Sequence, residues 1–305
     1  MSVSATAVRD LREKTGAGMM DCKKALAECA GDFDKAVDYL RAKGLAAAAK
    51  KQSRTAAEGI VAAVVEGAVG VVVEVNCETD FVAKNPEFQT FVTNVASHLV
   101  TNNAKDVDDL KNQKIQGKTV AEWIQELTLK IGEKIDVRRF EKRTIKADGK
   151  IGQYVHNGKI GVLVEVATTA AATKKAEFTE LMNDLCLHVA AADPKFLSAD
   201  QIDESFKAKE AEVYAAQLRE QGKDEKMIPN IVKGKLSKLA SEVCLNEQKF
   251  VKNPDISIIQ LLKEVEAKVG APLKINGFSK ITLGEGIEKK QDNLAEEVAK
   301  MTQQN

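Results

Sequence analysis

The chain has 305 residues, with 45 Lys and Arg against 45 Asp and Glu and a formal net charge of zero. A protein that lives on phosphate backbones carries a clear basic excess, so this balance argues against nucleic acid as the partner. Charged residues at 30% and hydrophobic residues at 44% describe a globular chain. No apolar run approaches the roughly 20 residues that span a bilayer, so no membrane association is expected. The five cysteines (Cys22, Cys29, Cys77, Cys186, Cys244) are scattered and never in C-x-x-C spacing. They suit a reducing, cytoplasmic setting and build neither a disulfide framework nor a zinc site. The opening stretch MSVSATAVRDLREK mixes acids with bases and lacks an apolar core, so no export or transit peptide is expected there. At about 100–200 residues per domain, the length predicts two or three units.

Residues 1–54 read as a three-helix module. Val8 and Leu11 mark the first helix, and Thr15-Gly16-Ala17-Gly18 breaks it. A second helix runs from Met19 to about Cys29 with Cys22, Ala25, Leu26 and Cys29 on one face. Gly31 stops it, Asp32 caps the third, and Phe33, Ala36, Val37 and Leu40 fall at i, i+3, i+4, i+7. Gly44 reads as the stop of that helix. The Ala-rich, basic stretch from Ala46 to Ala57, with Lys50, Lys51 and Arg54, reads as a linker.

An internal duplication follows. Val69-Gly-Val-Val-Val-Glu-Val75 recurs as Ile160-Gly-Val-Leu-Val-Glu-Val166, each a continuous β-branched run and hence a buried strand. A turn glycine precedes each at the same offset, Gly67 and Gly158. A helix follows each, striped by Phe88, Phe91, Val92, Val95 and Leu99 in one copy and by Phe178, Leu181, Met182, Leu185 and Val189 in the other. His98 and His188 occupy equivalent places. Two homologous α+β subdomains are therefore expected. Between them, Thr119 and Glu122 form a capping box for a helix carrying Val120, Trp123, Ile124 and Leu127, and Ile135 to Phe140 reads as a strand.

Beyond Asp193-Pro194 two charged helical segments, near 200–220 and 226–244, predict an antiparallel hairpin too narrow to hold a core alone. An amphipathic helix is expected from Ser257 to Val269. A short strand (Phe278 to Leu283), the turn Gly284-Glu-Gly286 and a final Glu- and Lys-rich helix complete the chain.

The copies diverge most in the connection from strand to helix. The first reads Asn76-Cys-Glu-Thr-Asp-Phe-Val-Ala-Lys-Asn-Pro86, the second Ala167-Thr-Thr-Ala-Ala-Ala-Thr-Lys-Lys-Ala176. Copy one thus sets a carboxylate, Asp80, beside a large aromatic, Phe81. Phe81 is either folded back, stapling the loop to the next helix with Asp80 as cap, or offered to a partner. The pairs Gly16-Ala-Gly18 and Gly284-Glu-Gly286 lack the Lys and Ser/Thr context of a phosphate loop and read as turns. Three histidines without a Ser or Asp partner in motif spacing make a hydrolase a weak reading, so neither a catalytic residue nor a cofactor is expected. An adaptor that merely holds partners accounts for the modules but not for the Asp80-Phe81 loop.

Two long stretches carry a resemblance to the translation elongation factor Ts family. They are Leu11-Arg-Glu-Lys-Thr-Gly-Ala-Gly-Met-Met-Asp-Cys-Lys-Lys-Ala-Leu26 and Glu74-Val-Asn-Cys-Glu-Thr-Asp-Phe-Val-Ala-Lys-Asn85. The likeness continues through Lys130-Ile-Gly-Glu133, Ile160-Gly-Val-Leu-Val164, His188-Val-Ala-Ala191 and Gly284-Glu-Gly-Ile-Glu-Lys289, and covers essentially the whole chain. It implies an α+β fold with a ubiquitin-associated-like, GTPase-docking module at 1–54. Duplicated core subdomains are then expected at 55–146 and at 147–196 with 246–280, an inserted helical-hairpin dimerisation module at 197–245, and a C-terminal module at 281–305. It further implies a guanine-nucleotide exchange factor for elongation factor Tu. In that role Thr79, Asp80, Phe81 and Val82 enter the GTPase near its Mg²⁺ and dislodge the ion. Arg12, Met19 and Met20 are the expected docking contacts of the N-terminal module. Ile160, Gly161 and His188 are expected against the partner's nucleotide site. The hairpin implies a possible homodimer.

Overall fold

The computed structural model describes residues 3–15, 17–51 and 53–288, without the side chains of residues 45–50. Gly16 of the first expected break and the final helix expected beyond residue 288 lie outside the described residues. The chain is α+β, with antiparallel sheets set between layers of helices.

Three helices open the chain: α1 (Ala5–Thr15), α2 (Met19–Glu28) and α3 (Phe33–Lys51). Val8 and Leu11, then Cys22, Ala25 and Leu26, then Ala36 and Leu40 close one small core at helical spacing. The Asp32 carboxylate accepts the Lys35 amide at 3.1 Å, which satisfies an orphan donor at the start of α3.

The first sheet unit comprises β1 (Glu58–Glu66), β2 (Val69–Cys77), the single turn α4 (Asp80–Ala83), α5 (Pro86–Thr101), α6 (Val107–Asn112), the small hairpin β3 (Lys114–Ile115) and β4 (Lys118–Thr119), α7 (Val120–Ile131) and β5 (Asp136–Thr144). The second comprises β6 (Gly149–His156), β7 (Ile160–Ala167), α8 (Ala176–Ala192), α9 (Glu204–Glu220), α10 (Ile228–Val243), the small hairpin β8 (Lys249–Phe250) and β9 (Asn253–Ser257), α11 (Ile258–Val269) and β10 (Lys274–Thr282). The sheet orders β1-β2-β5 and β6-β7-β10 correspond strand for strand, and every pairing in them is antiparallel.

The repeat is longer than its trace in the sequence. Both second helices start from a capping box, Thr119 with Glu122 and Ser257 with Gln260, and both end on a left-handed glycine, Gly132 and Gly270. Lys142 and Lys280 face equivalent central-strand residues, Val71 and Val162. Each sends its ammonium to carbonyls near the C-terminal end of the long helix, Leu99 at 2.9 Å and Ala190 at 3.2 Å. Where the first unit has α6, the second carries the helical hairpin α9–α10.

Four layers result. Val71, Val73 and Val75 point to α5 and α7, where Phe88, Phe91, Val95 and Leu99 are buried and Trp123 meets Phe91 edge-on at 5.3 Å. Phe178, Leu181, Leu185 and Val189 cover the second sheet in the same way. The other faces of the two sheets meet through Val61, Val72, Ile151, Leu163 and Ile281. Strands buried on both faces are why the central runs are continuously apolar. Gly70 and Gly161 are equivalent and sit at this sheet-to-sheet contact. A Cβ at Gly161 would lie 2.5 Å from Val61 and one at Gly70 2.8 Å from Ile151, so a side chain at either would force the sheets apart.

The helix α3 continues through Gly44 to Lys51, where a stop was expected. Tertiary packing overrides the local signal here. Gly44 lies across α7, with Leu129 Cδ2 only 3.5 Å from where its Cβ would stand, and Leu129 joins the three-helix core. Arg41 pairs with Glu122, and the Lys51 ammonium reaches the Gly132 carbonyl. The hairpin closes on itself, through Leu218, Ile228 and Val232 towards its tip and Ile202, Leu239 and Cys244 at its root.

Candidate functional site

The segment Thr79–Val82 leaves the end of β2 as a braced loop. The Thr79 hydroxyl accepts the Val82 amide at 3.4 Å and caps α4. Asn85 caps α5 by accepting the Glu87 amide at 2.8 Å, with Pro86 at the first helical position. One turn held between two caps has a single phase. It sinks Val82 into the core under α5 and leaves Phe81 80% exposed. Val82 rather than Phe81 is therefore the staple, and Thr79 rather than Asp80 is the cap.

Asp80 pairs with Lys84 at 2.7 Å, and the same ammonium lies 5.9 Å from the centre of the Phe81 ring. The Lys84 hydrogen bond holds the Asp80 carboxyl below its ordinary range, and the charge of Lys159 adds to the effect. Lys159 belongs to the turn between β6 and β7, so that turn stands beside the loop. The Gly158 carbonyl of the turn accepts the Val61 amide at 2.7 Å, which fixes the two units to each other at this point. Ile160, half-buried, begins β7 directly after Lys159. His156, the last residue of β6, is exposed and meets the Tyr154 hydroxyl at 2.9 Å.

The remaining expected site residues divide into surface and interior. Arg12 is exposed, and Met19 and Met20 are 58% and 73% exposed, which answers why two adjacent methionines stand in a bundle with a small core. Gly161 is buried between the sheets. His188, expected against a partner, is 0% exposed. Its Nδ1 faces the Val251 amide at 3.3 Å, a group that only donates, so the ring proton belongs on Nε2, which meets Gln248 Oε1 at 3.0 Å. Gln248 then donates to the Ala192 and Glu242 carbonyls at 3.3 and 2.8 Å. Burial keeps this imidazole below its ordinary pKa of 6.5, against the raising effect of Gln248. His188 thus ties the root of the helical hairpin to α8. His98 repeats the arrangement in the first unit, with Gln113 Oε1 at 2.8 Å.

Residues not singled out from the sequence complete the loop. Glu133, directly after the left-handed Gly132, accepts the amides of Glu78 and Thr79 at 3.1 and 3.0 Å and the Thr79 hydroxyl at 2.7 Å. Glu78 in turn accepts the Lys134 amide at 2.6 Å and meets Arg54 at 3.3 Å. The Cys77 thiol points at the Thr79 carbonyl, 3.1 Å away. Burial, aided by the charges of Glu133 and Glu58, pushes that thiol up to about 12, so it packs as an inert group. The signal for Glu133 lay in Lys130-Ile-Gly-Glu133, but only the fold brings it across 54 residues to Thr79.

Glu74 is a buried carboxylate at the centre of the same sheet. Burial raises its pKa, but hydrogen bonds from the Gly284 amide, Arg139, Asn76 and Arg138 outweigh this and hold it below its ordinary value. Among the described residues, no group of three or more His, Cys, Asp or Glu side chains is placed to hold a metal ion. No described helix is long and apolar enough to cross a membrane.

Comparison with known proteins gives this geometry its context. A family model described as elongation factor TS matches residues 78–285, beginning at the braced loop. An elongation factor Ts of Clostridium perfringens is 48% identical over 303 residues, spanning 98% of this chain and 99% of its own. One from Clostridioides difficile is 46% identical over 98% of both chains, and one from Rickettsia africae 45% identical over 99% of both. The chain belongs to the elongation factor Ts family, which serves nucleotide exchange in translation elongation.

Proposed function

We propose that this chain binds the GDP form of elongation factor Tu, displaces its Mg²⁺ and speeds GDP release so that GTP can enter. The observation that carries this reading is the Phe81 ring, 80% exposed on a one-turn helix that Thr79 caps and that runs directly into the Asn85 cap of α5, with Asp80 at its side. An exposed aromatic on a rigid support loses little freedom on insertion and makes an effective anchor.

The partner's Mg²⁺ needs near-ideal octahedral geometry and bridges the nucleotide's phosphates. A ring wedged beside it displaces the groups and waters that hold the ion. Asp80 adds a negative charge where the phosphates least accommodate one. Loss of the ion weakens GDP, and by linkage GDP weakens the factor by the same ratio, so the ternary complex is transient. Bond making and breaking play no part in the step, so the protein acts as a factor rather than as an enzyme in the chemical sense.

In this reading Arg12, Met19 and Met20 dock the N-terminal module on the GTPase, and Ile160 presents the β6–β7 turn alongside the loop. Gly161 and His188 contribute from the interior, by setting the sheet contact and the hairpin root. The hairpin, with Val213 and Met227 exposed, receives a second copy of the chain, which sedimentation of the free protein tests. The site of action is the cytoplasm. Release of labelled GDP from elongation factor Tu, with and without the full chain, tests the main reading. Acceleration is expected at micromolar factor, and its absence sinks the proposal.

A further inference from the structure

Among the described residues, Glu133 is the carboxylate that holds the loop backbone from outside the loop, and the two units supply an internal control for what it does. Its Oε2 takes two consecutive amides, Glu78 and Thr79, at 3.1 and 3.0 Å, and its Oε1 takes the Thr79 hydroxyl at 2.7 Å. Because that hydroxyl donates its proton to Glu133, its lone pairs remain for the Val82 amide at 3.4 Å, which is the cap of α4. A line of hydrogen bonds therefore runs from the end of α7 to the turn that aims Phe81. In the second unit the residue after the corresponding left-handed Gly270 is Ala271, which has no carboxylate. The connection there carries no acid and no aromatic; Lys175 ties it to the Val269 carbonyl at 2.8 Å instead. The two units thus share the glycine and the helix end, but the carboxylate brace occurs only where Asp80 and Phe81 project.

We infer that Glu133 is a positioning residue for nucleotide exchange, holding Thr79–Val82 in the conformation from which Phe81 enters the GTPase. The inference rests on the exchange reading given above. Charge-assisted hydrogen bonds to backbone amides fix a loop more firmly than solvent does, and small displacements of a positioned group are expensive in rate.

The test is a double-mutant cycle in the full chain, with Glu133→Ala, Phe81→Ala and both together, read by two independent measurements. Amide hydrogen exchange of residues 78–83 reports the brace itself, and GDP release from the loaded GTPase at saturating factor reports its use. In Glu133→Ala the Thr79 and Val82 amides are expected to exchange at least about tenfold faster, and GDP release to slow by about tenfold. In the Phe81→Ala background the same substitution is expected to change release by less than about twofold, because the group it aims is gone. Glu133→Gln, which keeps the size of the side chain but cannot accept from all three donors, falls between wild type and Glu133→Ala. It carries the test if the alanine variant folds poorly. Unchanged amide protection overturns the brace, and equal slowing of release in both backgrounds overturns the positioning role in favour of a merely structural one. Loosened amides with release untouched by either single variant overturn the exchange reading on which the inference rests.

Discussion

In the first unit the connection between central strand and long helix carries Thr79, Asp80, Phe81 and Val82 on a capped turn; in the second the equivalent residues are threonines, alanines and two lysines. Both connections bury a residue beneath the helix, Val82 in one and Ala172 in the other, so the fold asks for a staple and obtains it twice. Only the first adds an exposed ring and a brace from Glu133. The lesson is that the shared scaffold accounts for the helix, the sheet and the staple. What one copy carries beyond these is available for a partner.

The largest effect should strike both copies alike. Phe88 and Phe178 are equivalent and fully buried. Truncating either to alanine is expected to cost about 3–5 kcal/mol in urea unfolding, and a strongly unequal pair of losses would break the equivalence of the two cores. Glu74 and Glu165 should instead separate the copies. Glu74 meets Arg138 at 3.0 Å and Arg139 at 2.6 Å, whereas Glu165 meets Arg143 at 3.9 Å and Asn276 at 2.9 Å. Glu74→Gln is expected to destabilise by about 3 kcal/mol, and Glu165→Gln by less than about 1. Because the folded pKa of Glu74 is lowered, its contribution is full above the ordinary carboxylate range and fades as pH falls through the folded value. The stability gap between wild type and Glu74→Gln should therefore close on acidification, and a gap that widens would reverse the sign.

The histidine pair sharpens the same contrast. His188 is sealed in and His98 is half exposed, so His188→Ala is expected to cost about 2 kcal/mol and His98→Ala less than about 1. His188 stays neutral below its ordinary 6.5, so the unfolded chain takes up the proton first. Its contribution is complete above that value and is lost as pH falls through the depressed folded pKa; His188→Gln should flatten this limb of the pH–stability profile. Smallest in stability is Phe81→Ala. With 80% of the residue in solvent, its melting transition should match wild type within about 0.5 kcal/mol while GDP release slows markedly. A loss of stability comparable to the core variants would mean that Phe81 serves the fold.

Much of the fold was legible in the sequence because its signals are local. The β-branched runs at 69–75 and 160–166, the 3.6-residue stripes of the long helices and the capping box at Thr119 each depend on neighbours within a few residues. The matches Gln113 with Gln248 and Lys142 with Lys280 were not legible, since the hairpin inserted into the second unit destroys any constant spacing between copies. Gly44 misled for a related reason: its stop signal is local, while the contact with Leu129 that carries the helix past it is not. His188 was expected against a partner from the family resemblance, whereas its place beside an apolar stripe suits a structural histidine; the Gln248 that seals it comes about sixty residues later.

The sequence by itself determined the central strands, the long helices, the duplication and the residues in which the copies part, because these rest on backbone preference and side-chain period. It also placed Asp80 and Phe81 in one connection. Tertiary structure alone decided which of the adjacent Phe81 and Val82 turns outward, since the phase of one helical turn is set by caps and by the core beneath it. It alone brought Glu133 and the β6–β7 turn to the loop, since hydrogen bonds and charges act through space, whatever the separation along the chain.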